Sequence, residues 1–168
     1  MKKALIVITV AIMILTFSSC GNKKAFEFKD KVVTYEEISL TLTEGFYPSI
    51  ENYGSDMVYE SGDVYVFIDR EFHRGFHELE ELDAMQYAEL WLPVMKKSDE
   101  NCQIEEVDGL IVIEYKALDY FGKPCVYFVA FFKGANAFWM LTFHCPSDYD
   151  YNSYRPYFIK WAKGAVIP

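Results

Sequence analysis

Polar and apolar residues alternate along EISLTLTEGF, where Ile38, Leu40 and Leu42 are separated by Ser39 and Thr41. A period of two places them on one face of an extended chain, so this stretch predicts a strand with one buried side. Two β-rich runs in DMVYESGDVYVFID flank Glu60-Ser61-Gly62-Asp63 and predict a hairpin. IEEVDGLIVIEY predicts a second, with Asp108-Gly109 suited to the positive φ angles of a type I′ turn. The longest apolar runs lie in CVYFVAFFKGANAFWMLTFHC, on either side of Gly134-Ala135-Asn136. Both faces of that hairpin are apolar, so its strands should be covered on both sides.

Two segments supply the covers. Asp83, with Gln86 three residues on, predicts a capping box opening a helix over AMQYAELWLPVMKK, which Pro93 should kink or restart. In the tail, Tyr154, Phe158, Trp161 and Ala165 recur at helical spacing, and Gly164 is a candidate C-cap. The predicted fold is α+β: an α/β/α sandwich with a mainly antiparallel sheet and helices on both faces.

The N-terminus follows a different pattern. Met1-Lys2-Lys3 is a short positive region, and Ala4 to Phe17 is an uncharged apolar run interrupted only by Thr9 and Thr16. About 20 apolar residues are needed to span a bilayer, so this run has the length of a signal-peptide core instead. Ser18 and Ser19 leave room for cleavage just before Cys20, whose thiolate can take a diacylglycerol group. This stretch resembles the lipobox of bacterial lipoproteins, with Phe17 standing where Leu is usual. The expected organisation is a signal peptide over 1–19, a lipidated tether over 20–31 and one domain over 32–168. Lys23, Lys24, Lys29 and Lys31 in and beside the tether either attract anionic headgroups or form a solvated spacer.

Charge narrows the partners. Loss of Lys2 and Lys3 leaves 14 basic against 25 acidic residues, a net charge of −11. Nucleic acid and anionic membrane surfaces demand a basic footprint, so no nucleic-acid role is expected. Thirty aromatic residues, 13 Tyr, 14 Phe and 3 Trp, argue for a well-packed core with aromatic surface to spare.

The order of ISLTLTEGF, a hairpin, the YAELW helix, a hairpin pair, FWMLTFHC and the YFIKWA helix resembles the PsbP-like (DcrB-like) family over roughly residues 32–167. The resemblance implies an α/β/α scaffold that binds other proteins and is not usually an enzyme. Members include photosystem accessory subunits, a Ran-binding protein and small bacterial lipoproteins. They share no common site, so no functional residue transfers to this chain.

The candidate chemistry is sparse. Pairing Lys133 with Ala137 would set Cys125 directly opposite Cys145, within disulfide reach; the alternative is three packed thiols, Cys102 included. His73 and His77 flank Gly75, which spoils the helical geometry a shared zinc ion would need, so no metal is expected. With Arg70 and Arg74 these histidines form a basic island on an acidic domain, the first candidate for a partner-contact loop. Asp148, Asp150 and Asn152 have the spacing of a calcium loop, but Ser153 and Ile159 stand where Gly and Glu are required. Asp148 or Asp150 is better read as a helix cap. Tyr149 and Tyr151 are candidates for stacking on a sugar. No nucleophile elbow, Cys–His pattern or phosphate loop is present, and no cofactor is expected.

The leading expectation is a non-catalytic protein-binding or accessory module. It would be held on the extracytoplasmic face of a bacterial membrane through Cys20, with another envelope protein as partner. A small-ligand or carbohydrate-binding lipoprotein is the alternative, and a hydrolase the third. An exposed apolar or basic patch would favour the first. A concave aromatic-lined pocket with convergent polar groups would favour the second.

Overall fold

The computed structural model describes residues 29–168 apart from Asn52, Asp148 and Asp150. The signal segment, Cys20, Lys23, Lys24 and the two aspartates of the calcium-like spacing lie outside the described residues. The order is β1 (Asp30–Tyr35), β2 (Ile38–Thr43), β3 (Tyr47–Pro48), β4 (Met57–Ser61), β5 (Val64–Phe72), α1 (His77–Glu80), α2 (Ala84–Met95), β6 (Ile104–Val107), β7 (Leu110–Leu118), β8 (Pro124–Lys133), β9 (Ala137–Pro146) and α3 (Tyr151–Lys163).

Seven strands form one antiparallel sheet in the order β3-β4-β5-β9-β8-β7-β6. The apolar runs of β8 and β9 sit next to each other inside it, as their two-faced pattern requires. β1 and β2 pair with each other as a separate ribbon. Ile38, Leu40 and Leu42 are fully buried on its inner side, in keeping with their alternation. β1 begins at Asp30, and Lys31 donates its ammonium to the Phe46 carbonyl at 2.9 Å, so Lys31 belongs to the folded domain.

The ribbon and α3 cover one face of the sheet. Phe158 and Trp161 of α3 pack there with Phe46, Val66, Phe128 and Phe143. Gly164 follows α3 without a left-handed turn; its Cα lies so close to the ribbon that a Cβ would sit 3.4 Å from that of Thr41. On the other face α2 packs over β6, β7 and β8, burying Tyr87, Met95, Ile113, Val129 and Phe131. The expected capping box is present: the Gln86 N–H donates to Asp83 Oδ1 at 2.8 Å and the Asp83 N–H to Gln86 Oε1 at 2.9 Å. The helix continues through Pro93 and ends two residues later, so the proline forgoes one backbone hydrogen bond in the last turn without breaking the helix.

Asp108 and Gly109 have φ of 53° and 81°, the type I′ turn expected between β6 and β7. The β8–β9 hairpin differs from expectation. Lys133 pairs with Phe138, one residue past Ala137. The reason is tertiary: Gly134 donates to the Ala137 carbonyl and Ala135 to the Pro168 carbonyl, each at 2.8 Å, while the Asn136 carbonyl accepts from His73 at 3.2 Å. Only glycine fits at 134, since a Cβ there would lie 2.6 Å from the Pro168 carbonyl oxygen.

Candidate functional site: an aromatic pocket on the sheet

α2 covers only the β6–β8 side of its face. Beyond it, β5, β9 and the start of β8 present Tyr65, Phe67, Asp69, Thr142, His144 and Tyr127 into a pocket of about 440 Å³. Antiparallel register explains the grouping. Tyr65 and Tyr127 both pair with His144, from opposite sides of β9, so all three side chains rise from the same face. The imidazole lies 4.9 Å from the Tyr65 ring, 5.4 Å from Phe67 and 5.1 Å from Tyr127, centroid to centroid.

Two loops complete the walls. One carries Tyr53, held at a φ of 48°, a conformation side chains rarely adopt. Its ring meets Tyr65 at 89° and Phe67 at 72°. The other loop joins β7 to β8. There Asp119 Oδ1 accepts from the N–H groups of Phe121 (2.9 Å) and Lys123 (2.7 Å), and the Asp119 N–H donates to the Lys123 carbonyl at 2.8 Å. This tight turn holds Tyr120 and Phe121 against Tyr53, although they are 83% and 63% exposed.

Burial shapes the electrostatics. The His144 imidazole, 6% exposed, is pushed down to about 4 by desolvation, against the pull of Asp119, and its Nδ1 is buried with no hydrogen-bond partner. Burial lifts the Asp69 carboxyl above its ordinary range, against a hydrogen bond from Ser55 that holds it down. Burial likewise raises the hydroxyls of Tyr53, Tyr65 and Tyr127. Burial thus keeps the imidazole and the three phenols uncharged near neutral pH.

The residues singled out in the sequence fall elsewhere or play other parts. Arg70 points to the opposite face, where it pairs with Glu36 and its guanidinium sits 4.3 Å over Phe72 and 5.5 Å from Trp139. His73 is not on an exposed loop. It is 3% exposed, packs on Phe138, and its Nε2 lies 3.2 Å from the Gly134 carbonyl. Arg74 and His77 are exposed, and His77 faces Glu81 at 3.4 Å. The four do not form one contact surface, because strand alternation and burial separate them. Among the described residues no group of three or more His, Cys, Asp or Glu is placed to hold a metal.

The Cys125–Cys145 bridge is also corrected. Cys125 stands opposite Pro146 and Cys145 opposite Val126, so the two side chains leave the sheet on opposite faces, and both are thiols, as is Cys102. Tyr149 and Tyr151 line a broad groove with Glu114 and Lys116. The Tyr149 hydroxyl donates to Asp63 at 2.8 Å, and its ring stacks on Tyr154. The Tyr151 hydroxyl donates to Glu114 Oε2 at 2.6 Å, and the Arg155 Nε donates to Oε1 of the same carboxylate at 2.8 Å. Both tyrosines thus act as struts between α3 and the sheet.

No family model matches the chain, and no curated protein matches it. Among solved structures, cyanobacterial PsbP (CyanoP) from Synechocystis sp. PCC 6803 is similar with a TM-score of 0.55 at 11% identity, over 89% of this chain and 98% of that one. A crystal structure from Bacteroides thetaiotaomicron VPI-5482 is similar with a TM-score of 0.52 at 8% identity, over 85% of this chain and 49% of that one. At such identities the likeness concerns the fold alone. Antiparallel sheet, covering helices and near-complete coverage of CyanoP agree: this chain has a PsbP-like fold.

Proposed function

We propose that the protein is a non-catalytic binding module, anchored through Cys20 on the extracytoplasmic face of a bacterial membrane, that holds a small ligand in the aromatic pocket. The observation that carries this reading is the pocket itself: about 440 Å³, walled by aromatic rings, with polar groups from three strands converging on it. Cys125 and His144 both line it. Even so, an imidazole titrating near 4 is too weak a base to activate a thiol at neutral pH, which favours binding over catalysis.

An NMR fragment screen on the full chain tests the reading. The ring resonances of His144, Tyr65 and Phe67 should shift first, and shifts confined to the 70–77 segment or to the Tyr149–Tyr151 groove would overturn it. For the anchor, Cys20→Ser should release the protein from membranes.

A second reading is capture of an envelope protein at the pocket rim. It is favoured by the exposed apolar side chains of Leu118, Tyr120 and Phe121 on one rigid turn.

A further inference from the structure

From the composition of the pocket wall we infer that its ligand is an organic cation, a quaternary or alkylated ammonium group held by the aromatic rings and by Asp69. This rests on the pocket being the binding site, and it adds the chemical class of the occupant.

Six rings, those of Tyr53, Tyr65, Phe67, Tyr120, Phe121 and Tyr127, line the space. They do not lie in one plane. Tyr53 is close to perpendicular to Tyr65 and Phe67, and Phe121 meets Tyr53 at 83°. Walls that turn corners surround a rounded group, whereas a flat sugar or heterocycle is best served by parallel faces. The negative face of an aromatic ring attracts a cation, most strongly where water is excluded.

The charges agree with the rings. Among the described residues Asp63, Asp69 and Asp119 line the pocket against Lys123, so the formal balance of these groups is negative. His144 contributes no charge near neutral pH. All three accept hydrogen bonds from the protein, Asp119 from its own turn, Asp63 from Tyr149 and Asp69 from Ser55. Asp69 is the desolvated carboxylate of the three, and its sequence neighbour Arg70 is committed to Glu36 on the other face. A bound cation would give Asp69 the counter-charge the protein withholds. The net charge of the whole chain, −9, also draws cations towards it. A cavity of this volume exceeds a bare trimethylammonium head, so the natural ligand carries the head on a larger body.

The test compares choline with 3,3-dimethyl-1-butanol, which replaces the nitrogen with carbon at nearly unchanged shape. Both are titrated into the full chain at pH 7, read through the His144 and Tyr65 ring resonances. Choline is expected to bind at least tenfold tighter, and Asp69→Asn should cut that preference to threefold or less. The wild-type comparison stands alone if the variant does not fold. Equal or tighter binding of the neutral isostere overturns the cation inference and leaves the pocket as the binding site. Failure of both probes and of every fragment to shift these rings overturns the inference and the site together.

Discussion

The imidazole of His144 packs against the ring of Tyr65 at a centroid distance of 4.9 Å, inside the sheet-face pocket where it is buried. Burial lowers its pKa from 6.5 to about 4. Between those values the unfolded chain binds a proton that the folded chain refuses, so stability rises with pH across that window. Acidification from about pH 6.5 to about pH 4 is therefore expected to cost on the order of 3 kcal/mol through this group, with no further loss from it below. Asp69, whose carboxyl is raised by burial, works in the opposite sense, so a variant must isolate the histidine. Urea midpoints at pH 7 and pH 5 should differ less in His144→Phe than in the wild type; an unchanged difference would assign the effect to another residue.

Cys125 and Cys145 leave opposite faces of the sheet. Alkylation of the denatured, unreduced protein should label all three cysteines of the domain, and Cys102, Cys125 and Cys145 should each appear modified in peptide maps. Two fewer labels would mean that the strand register has slipped by one residue.

Phe158 has no exposed surface and lies 5.5 Å from the Phe143 ring and 5.8 Å from that of Trp161. Phe158→Ala removes the side chain joining α3 to the sheet and should destabilise the fold by about 3–5 kcal/mol, measured by urea unfolding. A loss below about 1 kcal/mol would indicate that α3 contributes little to the cooperative core.

Asp83 and Gln86 satisfy two backbone amides at the start of α2. Asp83→Ala should cost about 1 kcal/mol, while Asp83→Ser should restore most of it. If the serine variant is no better than alanine, the cap is not what holds that end of the helix.

How much of this could be read from the chain depends on how local each cause is. The Asp83–Gln86 cap, the Asp108-Gly109 turn and the burial of Ile38, Leu40 and Leu42 have their causes within a few residues, and all were legible. The register around residues 134–137 was not, because bonds to His73 and Pro168 set it, and both lie far away in sequence. Arg70 looked like a surface charge; its partner Glu36 is 34 residues distant, on the ribbon. The pocket was hidden for the same reason. Its aromatic residues come from a loop before β4, from β5, from the β7–β8 turn and from β8, and no linear pattern links them. The heavy aromatic content was the single signal, and it did not say where the rings would gather.

β3 and β6 close the two margins of the seven-stranded sheet. β3 is two residues long and includes Pro48, which has no amide to offer another strand. β6 is four residues long, with Glu105 and Glu106 exposed on its two faces. A neighbouring copy meets either a missing hydrogen-bond donor or a pair of like charges. Both margins of the sheet are thus poor templates for pairing with a strand of another copy.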